Sequence, residues 1–378
     1  MTENKSINMF EWLKCDTAYD LPFEFGPILQ RDRKQLSANL RYNNQGDLLK
    51  DNALPSNILQ SSSTPLNASA VANSVFFIFQ HLFKKRTVRK FLKHQPIVGV
   101  MSNSLAVNGL AGRLHNGESK HYVNVTAGTM LQGTVALYRL FGDQTFQQNG
   151  GLEVLDATSC FYQDESFHIP KNLAIRKYAM ECATYGALAV FCHELAHVFR
   201  GHTSLMSSKL GIGMLDETAL PTSSTHIDLR RLIEIDADDF AGKFLADILF
   251  PTFLKNRDLL TDKDGTNKFL QVSAGVLALY LGFGTGNSVY YSGFVRANLV
   301  LSSLLLRCSN DKSSASWLRG QIAQIQKDMI SAKLISNNHI ANYDHEIHDL
   351  INTAMPERDK QQKEWLHYRQ QSNDLSLQ

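Results

Sequence analysis

The sequence predicts an α+β protein that is mainly helical, with a small β-sheet ahead of one long helix. Three features carry this. From residue 175 onward, apolar residues recur at intervals of three and four through several long segments. Residues 96–100 and 121–126 are β-branched or alternating, with glycine-rich turns between them. The stretch 186–199 is apolar on every side except at His193, Glu194 and His197, as in a helix buried all round.

In chain order, residues 1–70 read as an irregular arm rich in Asn, Ser, Gln and Asp. The arm ends in the linker-like run Ser61-Ser62-Ser63-Thr64-Pro65. Its aromatics Phe10, Trp12, Phe23 and Phe25 point to packing against the body. Helical spacing follows over 70–93, with Val75, Phe76, Phe79 and Phe83 on one face. The two strands come next, then a helix over 126–141. A long helix is expected over 175–201 and a second over 229–250. Between them, 203–227 reads as an irregular connection holding Gly211, Gly213 and Pro221, of a length that suits a lid or specificity loop. Apolar helices at 269–281 and 293–306 close the main domain, which spans 71–308. Residues 309–378 form a polar helical extension with amphipathic stretches at 317–334 and 345–368.

A chain of 378 residues is long enough to bury a substantial core, and 43% hydrophobic against 20% charged residues is the balance of a folded domain. A net charge of +2 gives no reason to expect nucleic acid or an anionic membrane as partner. The basic run Lys84-Lys85-Arg86 with Arg89, Lys90 and Lys93 reads as a solvated helix face. Five scattered cysteines without a Cys-x-x-Cys pair suit a reducing compartment. Residues 1–21 carry acids and no apolar run, which speaks against a cleavable signal peptide. The most apolar stretches are shorter than the roughly 20 residues of a membrane span. A cytoplasmic protein without a membrane span is expected.

The chemistry concentrates in His193-Glu194-Leu195-Ala196-His197. Residues four apart on a helix lie about 40° apart on one face, so two imidazoles can bind a single tetrahedral ion. Glu194 then sits beside the metal without being needed as a ligand, where it can take the proton of a water that the ion has acidified. The buried setting strengthens this reading, because buried polar groups need partners and a metal supplies one.

A catalytic zinc takes three protein ligands and keeps one position open. The best third ligand is Glu234. Glu234, Ala237, Asp238 and Ala241 fall on one helical stripe, with the alanines permitting close approach to the His193 helix. Asp238 is then placed to accept a hydrogen bond from the far nitrogen of a ligand histidine. An acidic surface face is the alternative for this run, and Asp238 in place of Glu234 is the alternative ligand. Asp236 and Asp239 point elsewhere and read as solvated. His202, about 140° off the ligand face, is expected to cap or hydrogen-bond rather than ligate. His226 reads as a loop histidine, Cys192 as a small buried residue, and His345-Glu346-Ile347-His348 as one residue short of the motif.

With both segments in view, the chain resembles the glutamate-zincin metallopeptidases. It looks most like the CAAX prenyl protease and HtpX-type family and the related Lit-type phage-exclusion peptidases. The matching residues are His193-Glu194-Leu195-Ala196-His197, Gly201-His202 and Glu234-Ile235-Asp236-Ala237-Asp238. The resemblance spans about residues 175–300 and implies a zincin-like metallopeptidase domain, with zinc on His193, His197 and Glu234 and Glu194 as base. Many members carry His-Pro shortly before an arginine in a later helix; here Arg296 matches and His-Pro does not. Arg296 or a tyrosine, Tyr290 or Tyr291, is the candidate for stabilising the oxyanion, and simple packing and pairing is the alternative. The lack of membrane spans favours the Lit-like branch.

The function expected is a zinc endopeptidase acting on a cytosolic protein, with Glu194 activating a zinc-bound water. A Lit-like role in phage defence is what the analogy implies. The strand at 122–126 is expected to be an edge that pairs with extended substrate. Two other classes stay open: a zinc-bound or metal-free scaffold that works by binding through its polar C-terminal helices, and a metal-dependent hydrolase of a non-peptide substrate.

Overall fold

The structure is a computed structural model that describes residues 19–20, 97–102, 107–114, 120–142, 152–156, 166–170, 172–210, 214–216, 224–250, 263–284, 290–309 and 312–371. The arm 1–70, apart from one short strand, and the stretch 70–93 with its basic run lie outside the described residues.

Helices dominate, and the sheets are small. The strands are β1 (Tyr19–Asp20), β2 (Ile97–Ser102), β3 (Gly109–Leu114), β4 (Lys120–Thr126), β5 (Leu152–Asp156), β6 (Ser166–Pro170) and β7 (Met214–Asp216). Five of them form a mixed sheet in the order β1-β2-β4-β3-β7, and β5 pairs with β6. Among the described strands only β2 and β4 run parallel, with Ile97 opposite His121. In β4, Tyr122, Val123 and Val125 are fully or almost fully buried. The expected substrate-pairing edge is therefore an interior strand: β4 hydrogen-bonds to β2 on one side and β3 on the other, so neither ladder is open to a peptide. The expectation failed because β3 reads Gly-Leu-Ala-Gly-Arg-Leu, which lacks the β-branched residues that announce a strand.

The helices are α1 (Ala127–Gly142), α2 (Leu173–Phe199), α3 (His202–Leu210), α4 (Ser224–Leu249), α5 (Lys263–Leu281), α6 (Gly293–Cys308), α7 (Lys312–Ser331), α8 (Asn337–Ala341), α9 (Tyr343–Asp349) and α10 (Met355–Gln371). A π-helical turn, Leu350–Ala354, joins α9 to α10. Among the described residues no helix is long and apolar enough to cross a membrane.

The axis of the molecule is α2. Asn172 caps its start, its side chain accepting the Ala174 N–H at 2.9 Å. Every residue from 186 to 199 is buried. Neighbours surround it: α1, α4 and α5 pack on it together with β3 and β4. A helix in that position has no polar face to show water, which is why its sequence is apolar all round. The approach of α5 is close. A Cβ on Gly275 would collide with the carbonyl oxygen of Cys182 on α2, so glycine sets the spacing there.

The segment expected to be irregular over 203–227 instead contains α3, β7 and the start of α4. The polar run Thr-Ser-Leu-Met-Ser-Ser hides a helix whose Leu205 and Met206 are fully buried. Of the extension 309–378, Leu318 and Met329 join the main core. Leu350, Ala354 and Trp365 build a second cluster with residues of α3, α4 and α6.

Replacing Gly275 with Ala is expected to lower stability by about 1–3 kcal/mol, the usual cost of overpacking. Urea unfolding followed by circular dichroism measures it, and an unchanged midpoint would contradict the close α2–α5 contact.

Candidate metal centre

The site forms where α2, α4 and α6 meet. His193 and His197 project from α2 with one turn between them, and their Nε2 atoms lie 3.0 Å apart. Glu234, on α4, brings Oε2 to 3.1 Å from His193 Nε2 and Oε1 to 3.7 Å from His197 Nε2. The three residues offer ligand atoms within 4.8 Å of one another, and all three are buried. They form a group that can hold a metal ion.

The outer nitrogens decide what the inner ones present. His193 Nδ1 lies 2.8 Å from Asp238 Oδ1. Nε2 of the same ring lies 3.1 Å from the Glu234 carboxylate, so both ring nitrogens face an acceptor; with a cation on Nε2 the proton belongs on Nδ1, toward Asp238. On the other ring, His197 Nδ1 is 3.1 Å from His202 Nδ1, and His202 Nε2 is 3.1 Å from Asp236 Oδ2. Asp236 accepts a hydrogen bond from His202 Nε2–H, the neutral His202 then accepts from His197 Nδ1–H at its own Nδ1, and the His197 Nε2 lone pair faces inward. Two imidazole lone pairs and a carboxylate oxygen thus converge on one point, the donor set that a divalent cation satisfies.

Charge states agree with this arrangement. Burial lowers the pKa of His197 to about 4, keeping the ring neutral and its lone pair available. Burial lowers His202 as well, against the opposing pull of Asp236. Burial alone would raise Glu234, but the two histidines beside it outweigh this and hold the carboxyl well below its ordinary value. Asp238 is likewise held down, chiefly by Arg296 and His193 against the effect of burial.

Arginines compensate the buried carboxylates. Arg296, on α6, places Nε 2.9 Å from Asp238 Oδ2 and Nη2 3.3 Å from Glu234 Oε2. Its Nη2 is also 3.3 Å from His193 Nε2. Arg230 lies one turn before Glu234 on α4, with Nε 3.4 Å from Glu234 Oε1. Asp236 is held by Arg200, whose Nε and Nη2 donate at 2.7 and 2.9 Å.

Glu194 is 1% exposed and lies against β3. A Cβ on Gly109 would overlap its carboxylate, with the carboxyl carbon only 3.0 Å away. The start of β3 is pinned there, because Asn108 N–H donates to Thr129 Oγ1 at 2.8 Å and the Thr129 hydroxyl donates back to the Asn108 carbonyl at 3.0 Å.

His193, His197, Glu234 and Asp238 therefore come together, and Arg296 joins them by pairing with both carboxylates, the alternative to its oxyanion role. Tyr291 is placed differently from its expected oxyanion role. Its hydroxyl donates to Asp349 Oδ2 at 2.6 Å, and burial with that carboxylate raises its pKa. Tyr290 lies under the guanidiniums of Arg230 and Arg296. Asp236 is not solvated but buried, covered by Arg200, His202 and, from α10, Gln362. Asp239 is half-buried and holds Ser303, Lys243 and Arg358. His202 hydrogen-bonds, as expected, because Gly201 at φ +76° ends α2 and turns the chain back toward His197. Cys192 is buried. The side chain of His226 lies outside the described residues.

Arg230 was missed, though its i, i+4 relation to Glu234 was a readable signal. Asp236 as the anchor of His202 had no signal short of the fold.

No family model matches this chain, and neither a curated protein nor a solved structure matches it.

Replacing Gly109 with Ala is expected to cost about 1–3 kcal/mol through the collision with Glu194. The cost should largely vanish when Glu194 is also replaced with Ala, because the colliding group is gone. A double-mutant cycle in urea tests this, and additive effects would contradict the placement of Glu194 against β3.

Proposed function

We propose that the chain is a zinc-dependent peptidase of the glutamate-zincin type, with His193, His197 and Glu234 as ligands and Glu194 as general base. The single observation that carries this reading is the pair of inward-facing Nε2 atoms, 3.0 Å apart and flanked by Glu234. Two imidazoles and a carboxylate, with no thiolate, make the ligand set of a catalytic rather than a structural zinc. The protein around the site is mainly helical with a sheet strand against the base, which suits a zincin-like domain.

Bound there, zinc supplies a Lewis acid that polarises a carbonyl and acidifies water. The chain's own residues do the rest. Glu194 is adjacent in sequence to the first ligand and takes the proton of the attacking water, then delivers it to the leaving amine. Gly109 leaves room for that carboxylate. Asp238 and the His202–Asp236 pair keep both ligand rings in the binding tautomer. Arg296 and Arg230 pair with Glu234 and aim it. The substrate is a protein, and no element of the site suggests nucleic acid.

A second reading has one observation in its favour. The ligands are at most 4% exposed, as in a metal-holding protein without turnover. The Glu194→Gln variant separates the two. In the peptidase, one zinc is retained per chain while cleavage, read as new protein termini in expressing cells, falls by at least about a hundredfold. Replacing His193 with Ala should release the metal. Equal cleavage by wild type and the Glu194→Gln variant would remove the mechanism; zinc retention with no cleavage by either would leave the metal-holding reading.

A further inference from the structure

The polar C-terminal segment reaches the metal centre from two directions. On one side, Gln362 on α10 donates to Asp236 Oδ1 at 2.7 Å, and Asp236 holds His202, which holds the ligand His197. Trp365, three residues further on, is 1% exposed and meets His202 edge to face, with ring centroids 5.7 Å apart. On the other side, α9 fastens the start of α6. Glu346 accepts the Ser292 N–H at 3.1 Å and its hydroxyl at 2.6 Å, and Asp349 accepts the Tyr291 hydroxyl at 2.6 Å. Helix α6 carries Arg296 one turn later, and Arg296 grips Asp238 and Glu234.

We infer that residues 343–371 form a clamp that sets metal affinity, with Gln362 and Trp365 as positioning residues for His197. The inference rests on the metal-centre reading above. Its physics is directional. Asp236 can only accept, so every bond from Gln362 to His197 has one allowed polarity, and the chain ends with a lone pair on His197 Nε2. Gln362 joins Arg200 Nη2 on Asp236 Oδ1, and Oδ2, which also accepts from Arg200 Nε, orients His202. Trp365 fills the space beside His202 and denies the ring another orientation. The C-terminal segment thus bears on metal loading without touching a ligand. Outer partners of ligand histidines typically change metal affinity by about 10–100-fold.

The test uses the full chain. Zinc affinity is measured by competition with a chromophoric chelator for wild type, Gln362→Met, Trp365→Phe and the surface control Lys360→Met. Cobalt-loaded forms give a visible spectrum that reports ligand arrangement. About tenfold weaker zinc binding by Gln362→Met and a shifted cobalt band are expected, with Lys360→Met unchanged and the metal-free melting temperature of each within a few degrees of wild type. Gln362→Met keeps the length of the side chain and removes the amide that donates to Asp236, so it decides the matter even if Trp365→Phe fails to fold. Wild-type affinity and an unaltered cobalt band in Gln362→Met would overturn the clamp while leaving the metal centre intact. A wild type that binds no metal would remove both.

Discussion

The structure depends on one constraint: two imidazole nitrogens face each other 3.0 Å apart inside a sealed core. Lone pairs do not settle at that distance by themselves. Each ring is turned inward by a carboxylate behind it, Asp238 for His193 and Asp236 through His202 for His197. Those carboxylates are themselves buried, and isolated buried charges cost several kcal/mol each. Arg296 and Arg200 offset them. Removing one partner of such a pair typically costs about 3–5 kcal/mol, because the other charge is left stranded. Helix packing, the Gly201 turn and the C-terminal segment can all be read as what holds these charges in register.

This is why residues 186–199 of α2 are buried on every side yet carry His193, Glu194 and His197. Burial keeps His197 neutral, with its pKa at about 4, and neutral is the state in which it can donate electrons. The same burial would raise Glu234, but its neighbours hold it ionised. Both shifts run downward, and together they leave a neutral imidazole beside an ionised carboxylate, a donor set rather than a salt-bridge network.

Much of this was legible in the sequence. The His193–His197 spacing, the long apolar helix around it and the stripe of Glu234, Ala237, Asp238 and Ala241 each correspond to a local period, and local periods survive folding. Arg230 was legible too, one turn from Glu234. What could not be read depends on distant chain segments. The strand at β3 is built largely of glycine, alanine and leucine, so nothing in its residues announced that it would cover one side of β4. Asp236 looks solvated from its own helix, because α10, more than a hundred residues later, supplies Gln362 to cover it. Tyr291 is near Arg296 in sequence, but its hydroxyl answers to Asp349 on α9.

Zinc-edge X-ray absorption on the loaded protein addresses the central claim most directly. Two imidazole nitrogens with carboxylate or water oxygen in the inner shell, and no sulfur, are expected from His193, His197 and Glu234. A shell containing sulfur, or a protein that retains no stoichiometric zinc, would contradict a metal centre at this site.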